Sequence, residues 1–169
     1  MLQAVSLTCR RGQRRVFSEL SLRLEAGQCC LVSGPNGSGK TSLLRILAGL
    51  REASEGQLVA APCLFLPQPA DFYPKATALQ NLALWAALQQ LPANDYQQAL
   101  HWFGMDQHSA ITAEHLSAGQ RQKMALARLL LADNMLLWLL DEPYNALDAV
   151  GTRQLDQLLE KMAAERVII

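Results

Sequence analysis

At 169 residues the chain has the size of one α/β domain and enough length to bury a full core. Half of its residues are hydrophobic and its formal net charge is zero, so it lacks the basic field that an obligatory nucleic-acid partner would need. No apolar run reaches the roughly 18 residues of a membrane span, and "MLQAVSLTCRRGQRR" lacks the order of a secretory signal, so we expect a soluble protein that docks on a membrane partner at most.

Taken in chain order, residues 2–8 and 16–24 alternate loosely between apolar and polar around "RRGQRR", which predicts an antiparallel hairpin. Residues 29–33, "CCLVS", form a continuous apolar run between Gly27 and Gly34 and predict a strand buried on both faces of a parallel sheet. "KTSLLRILAGL" has apolar residues at helical spacing and should end at Gly49, with a short strand following near 64–66. The segment from Ala76 to Met105 reads as helical with a break at Pro92, and "AGQRQKMALARLLLADN" as another helix. "MLLWLL" predicts a second fully buried strand, "VGTRQLDQLLEKMAAE" a helix with Leu155, Leu158, Leu159 and Met162 on one side, and "RVII" the start of a last strand. Strands alternating with helices call for a doubly wound parallel sheet. The helical block 76–132 interrupts that alternation, so we expect a single domain over 1–169 with core segments 1–75 and 133–169 and an inserted helical subdomain.

Cys9, Cys29, Cys30 and Cys63 have no metal-ligand spacing and read as buried, reduced thiols. His101, His108 and His115 recur every seven residues, but Gly104 and "DQHSA" break any shared helix face, so the spacing is coincidental.

"GPNGSGKT", Gly34 to Thr41, fits G-x-x-x-x-G-K-(S/T) and lies between an apolar run and a helix, the context that gives the pattern meaning. Its glycines let successive backbone N–H groups face inward around phosphate oxygens, and the helix start adds its positive end. Lys40 should reach the outer phosphates and the Thr41 hydroxyl should ligate Mg²⁺. Asp141 follows the apolar "MLLWLL" and should land at the carboxyl edge of the sheet, where it can hold Mg²⁺ directly or through water. Glu142 beside it is the candidate to orient or deprotonate an attacking water. "LSAGQ" precedes a helix that Ser117 would cap, which suffices as a structural role and also offers amides, a hydroxyl and a helix end to a second phosphate.

Taken together and in order, the Gly34–Thr41 loop, Gln68 in "LPQP", "LSAGQ", "LLDEP" and "NALD" resemble the nucleotide-binding domain of the ATP-binding cassette (ABC) family across nearly the whole chain. The resemblance implies a P-loop NTPase fold and an ATPase subunit that packs head to tail with a second copy and serves a membrane permease. It implies that Gly34, Pro35, Asn36, Gly37, Ser38, Gly39, Lys40, Thr41 and Ser42 bind ATP, with Thr41, Gln68 and Asp141 at Mg²⁺. It further implies catalysis by Glu142 with Gln68, contacts from Ser117, Gly119 and Gln120 to the nucleotide of the opposite subunit, and Asp148 as the residue that communicates across the dimer.

Within the family, the compact length, "ATALQNL" and the "LSAGQ" to "NALD" run resemble the ATP-binding subunit of the haem exporters of cytochrome c biogenesis, a subunit that sits on the cytoplasmic face of the inner membrane, paired with a permease. No haem-ligating motif is present, and no direct haem contact is expected. On the same resemblance, a permease helix would dock on residues 68–91, around Leu79, Leu82 and Trp85. The pattern departs from the family in four places. Arg11, with Phe17 nearby, stands where an aromatic residue often stacks on adenine, and Ala118 replaces a glycine. The span from Gly56 to Gln68 is short, which predicts a trimmed edge sheet. "RVII" is not followed by the family's switch histidine or by its usual C-terminal helices, so a second expectation is a module that binds ATP and hydrolyses it weakly.

Overall fold

The computed structural model describes residues 1–92, 95–132 and 134–169. The chain forms two compact units: residues 1–67, 134–141 and 160–169 make the first, and 68–133 with 142–159 the second.

The first unit carries two sheets. Strands β1 (Leu2–Arg11) and β2 (Arg14–Leu24) form the expected hairpin, closed at Gly12 and Gln13. β3 (Glu55–Ala60) pairs antiparallel with the other side of β1, giving the order β2-β1-β3. Sequence reading missed β3, because "EGQLVA" is mostly exposed and has no apolar alternation to show. The edge sheet has three strands, with β3 six residues long. Ala61 and Pro62 carry the chain from β3 to β4 (Cys63–Leu66), which runs parallel to β5 (Leu137–Leu140) and β6 (Val167–Ile168) in the order β4-β5-β6. β5 is buried at all four residues, as its unbroken apolar run requires. Leu2, Leu7, Leu43, Ile46, Leu47, Leu137, Leu139 and Val167 form one core between these strands and helix α1 (Lys40–Leu47).

The expectation of a fully buried strand at 29–33 fails. Only Cys29 pairs, in a parallel bridge to Ile168, with the Cys30 N–H donating to the Ile168 carbonyl at 2.8 Å. β6 supplies a ladder of two residues, so the rest of the run has no backbone partner to hold it, and Leu31 is 89% exposed. The reading of four buried thiols fails with it: Cys9 is buried, Cys30 and Cys63 half-buried, and Cys29 exposed, all of them free.

The second unit is helical. α2 (Ala78–Leu88) and α4 (Ala118–Leu126) both begin with reciprocal capping boxes, Thr77 with Gln80 and Ser117 with Gln120. α3 (Tyr96–Trp102) is capped by the Asp95 carboxylate, which accepts from the Gln98 N–H at 2.9 Å. α4 tightens after Leu126 into a 3₁₀ turn over Ala127–Leu131 that packs on α2 and α3. α5 (Ala149–Ala163) starts in this unit and runs into the first. Leu82, Leu100, Phe103, Met124, Leu126 and Leu129 are among the fully buried side chains of this second unit.

Candidate functional site

In the first unit the sheet sets the geometry. β4, β5 and β6 are parallel and Cys29 joins them in the same sense, so the chain leaves the sheet toward Gly34 and toward Asp141 at one carboxyl edge. The Asp141 N–H donates to the Leu66 carbonyl at 3.0 Å, which fixes the end of β5 beside the end of β4. Gln68 follows two residues after β4.

The Gly34–Lys40 loop closes on itself. The Ser38 N–H donates to the Pro35 carbonyl at 3.1 Å, and the Lys40 ammonium spans the loop, donating to the carbonyls of Gly34 at 2.9 Å and Pro35 at 3.3 Å. Gly39 caps α1 with a left-handed backbone, φ 107°, and supplies no side-chain acceptor to the first amides of the helix. A Cβ at Gly39 would also collide with Val16 of β2, with Phe17 at 3.4 Å, so glycine is required there by space as well as by conformation. This β2 buttress is where Phe17 acts. Arg11 instead reaches Ser42, donating to its hydroxyl at 3.4 Å. Ser42 is buried, whereas Thr41 beside it is half-buried.

Asp141 is 6% exposed, and among the described residues its carboxylate has no hydrogen-bond or ion-pair partner. A buried acid without a counter-charge fits a cation, and a hydroxyl, a carboxylate and phosphate oxygens are the hard donors Mg²⁺ takes. No group of three or more His, Cys, Asp or Glu side chains could hold a metal by itself among the described residues.

In the second unit, helix α4 holds the loop that follows Asp141. Glu142 is exposed, with φ 50°, a conformation rarely taken by a residue with a side chain, and the Asn145 N–H closes the turn on its carbonyl at 3.0 Å. Three α4 residues on one face keep this loop in place. Gln122 donates to the Pro143 carbonyl at 2.8 Å, and Lys123 donates to Asp148 at 3.0 Å. Gly119 lies so near the loop that a Cβ there would sit 2.8 Å from the Ala146 carbonyl. Asp148 also accepts from the Gly151 N–H at 2.7 Å, and that bond first, then Lys123, holds its carboxyl below the usual range. Tyr144 donates to Asp156 at 2.7 Å, and burial with that neighbour pushes its hydroxyl up to about 12.

The Ser117 hydroxyl accepts from the Gln120 N–H at 3.2 Å, and Gln120 accepts in return from the Ser117 N–H at 2.8 Å. That cap uses an oxygen lone pair, so the Ser117 O–H remains able to donate outward. Of the apolar residues expected to dock a partner, Leu82 is wholly buried and Trp85 is half-buried; the exposed ones on α2 are Leu84 and Leu88. α2 turns Leu82 into the helical core, which the apolar count alone did not reveal.

The sequence profile of the ABC transporter family matches residues 17–145. The chain belongs to the ABC transporter family. It is 41% identical to the cytochrome c biogenesis ATP-binding export protein CcmA of Pseudomonas fluorescens, over 94% of this chain and 82% of that protein. It is 39% identical to the protein of the same name from Colwellia psychrerythraea, over 98% of this chain and 81% of the relative. Among solved structures, the ATP-binding subunit of an ABC transporter superposes with a TM-score of 0.87 at 20% identity, over 99% of this chain and 78% of that one. A dimeric bacterial ABC transporter cassette superposes at 0.83 and 23% identity, over 99% and 87% of the two chains. These neighbours establish the fold as the ABC-type α/β cassette expected from the motifs. Its structure also reveals what the motifs do not: Asn81, Gln122, Lys123 and Arg128 hold the loops around the motif residues, and only contact across distant segments exposes them.

Proposed function

We propose that this chain is the ATP-binding and hydrolysing subunit of a membrane transporter, of the haem-exporter type that serves cytochrome c biogenesis. The observation that carries the reading is the self-closed Gly34–Lys40 loop at the sheet edge where Asp141 ends β5. In this reading the loop amides and Lys40 bind the phosphates, with Pro35, Asn36, Gly37 and Ser38 forming the cradle wall. Thr41 and Asp141 would hold Mg²⁺, which would supply positive charge at the outer phosphates, and Gln68 is read as a further residue for that ion or its water. Glu142 takes a proton from the attacking water, and its turn, secured by Gln122, presents the carboxylate at a fixed place. Ser117 donates to the nucleotide of a second subunit, as do the Gly119 and Gln120 amides, while Asp148 ties that motif to the Glu142 turn.

The similarity to relatives named as export proteins of cytochrome c biogenesis supports the transporter assignment. A related cassette solved as a dimer in a post-hydrolysis state with ADP and phosphate supports hydrolysis in a paired arrangement. No helix among the described residues is long and apolar enough to cross a membrane, so contact with the bilayer would come through a permease at its cytoplasmic face. Leu84, 43% exposed, and Leu88, 68% exposed, with Tyr73, are the apolar contacts we assign to that permease.

The test is assembly. With Glu142→Gln, ATP and Mg²⁺ should hold the chain as a dimer on gel filtration, while ADP should leave it monomeric. A chain that stays monomeric with ATP contradicts the head-to-tail reading. Co-expressed permease should be lost on purification of a Leu84→Glu, Leu88→Glu variant, and its retention would remove that docking face.

A further inference from the structure

The segment after Gln68 is held by two buried polar side chains that no motif of the sequence marks. Arg128, in the 3₁₀ turn after α4, is 6% exposed. Its Nη2 donates to the Asp71 carbonyl at 2.8 Å, and its guanidinium lies 4.8 Å from the Phe72 ring centroid and 5.4 Å from that of Trp85 on α2. One turn before Trp85 on α2, buried Asn81 accepts from the Tyr73 N–H at 2.8 Å and donates to the carbonyls of Tyr73 at 3.1 Å and Ala76 at 3.0 Å. Asp71, Phe72 and Tyr73 are thus bonded on consecutive residues to two different parts of the helical unit.

A buried guanidinium is a costly way to fill space. Burial pulls Arg128 down to about 10, against the pull of the Asp71 charge, and its Nε has no partner among the described residues. An apolar side chain of the same length would pack there at lower cost. What it could not do is hold a backbone carbonyl and offer a flat cation to two rings at once.

We propose that Arg128 is the positioning residue for Gln68: with Asn81 it locks residues 68–73 to the helical unit, so that Gln68 and that unit move as one body. The proposal rests on the reading of Gln68 given above. Arg128 touches no reacting atom and acts through the segment it holds. A charge without the planar fork holds the carbonyl less well and stacks on neither ring, so lysine restores the lock only in part.

The experiment compares the full chain with its Arg128→Met, Arg128→Lys and Gln68→Ala variants by hydrogen exchange, ATP turnover and Mg²⁺ titration. Arg128→Met should speed exchange at the Tyr73 amide, whose N–H donates to Asn81, by about 10-fold or more, with α4 and the Gly34–Lys40 loop unchanged. Its kcat should fall about 10-fold and its Mg²⁺ half-saturation rise, with KM for ATP within about twofold. Arg128→Lys should fall between wild type and Arg128→Met, and it carries the same test should the methionine variant fail to fold. Faster exchange spread evenly over the helical unit, or none at Tyr73, overturns the proposal. If Gln68→Ala leaves kcat and Mg²⁺ demand intact, the reading of Gln68 falls, and the exchange pattern alone then decides whether Arg128 holds the segment.

Discussion

The two units position their site residues by different means. In the first, the Gly34–Lys40 loop is shaped by its own backbone: glycines, a lysine folded over loop carbonyls and an uncapped helix start. In the second, side chains from distant segments add to the local turns: they bond Pro143 and Asp148 in the loop after β5, and Asp71 in the segment after Gln68. The contrast teaches that the proposed phosphate cradle lies in eight consecutive residues, "GPNGSGKT", whereas the turn that carries Glu142 also leans on a helix reached through the fold. It also separates the expected consequences of mutation. Changes in the Gly34–Lys40 loop should weaken ATP binding, and changes in the Glu142 turn should affect turnover with ATP affinity kept.

The largest expected effect on binding is at Lys40. Lys40→Ala removes charge-assisted hydrogen bonds of about 1.5–3 kcal/mol, roughly a 10- to 150-fold rise in Kd for ATP. Calorimetric titration measures it, and an unchanged Kd would break the assignment of binding to the first unit.

Gly39→Ala should act in the same direction through two separable causes, the collision with Val16 and a left-handed φ of 107°. Adding Val16→Ala should recover affinity only in part, because the backbone cost of about 1–2 kcal/mol remains. Complete recovery would show that space alone demands the glycine.

In the second unit, Gly119→Ala should push helix α4 off the Ala146 carbonyl and cost about 1–3 kcal/mol of stability. Thermal unfolding should register it as a lower Tm.

The smallest effect is at Asp148. Its carboxyl is held below the usual range, so its contribution is fully present above the unfolded value of about 3.9 and is lost as pH falls through the folded one. Its side chain is 62% exposed, and Asp148→Asn should lower Tm by about 1–3 °C at neutral pH. That difference should close as pH falls through the folded value; a gap that persists once the carboxyl is protonated in both states would mean its charge is not what ties the loop to α4.

How much could be read from the sequence follows the same division. Hairpin, helix starts and the buried strand β5 were legible, because capping boxes, apolar runs and the "RRGQRR" turn are local signals. The "CCLVS" run misled, because a strand needs a neighbour and Cys29 alone finds one, on Ile168. β3 was invisible because its edge position leaves it exposed. At the candidate site the motif residues were legible from their spacing. Asn81 and Arg128 were not, since an asparagine and an arginine in helical sequence look solvent-facing until the loop they hold is placed against them.

The measurement that tests the central claim most directly is steady-state ATP turnover of the wild-type chain against Glu142→Gln, at saturating ATP and Mg²⁺ with ATP affinity measured in parallel. A division of labour in which the first unit binds and Glu142 of the second activates water predicts that wild type turns over about 10²- to 10⁴-fold faster at equal affinity. Equal rates for the two proteins, or a Glu142→Gln variant that loses ATP binding itself, would contradict it.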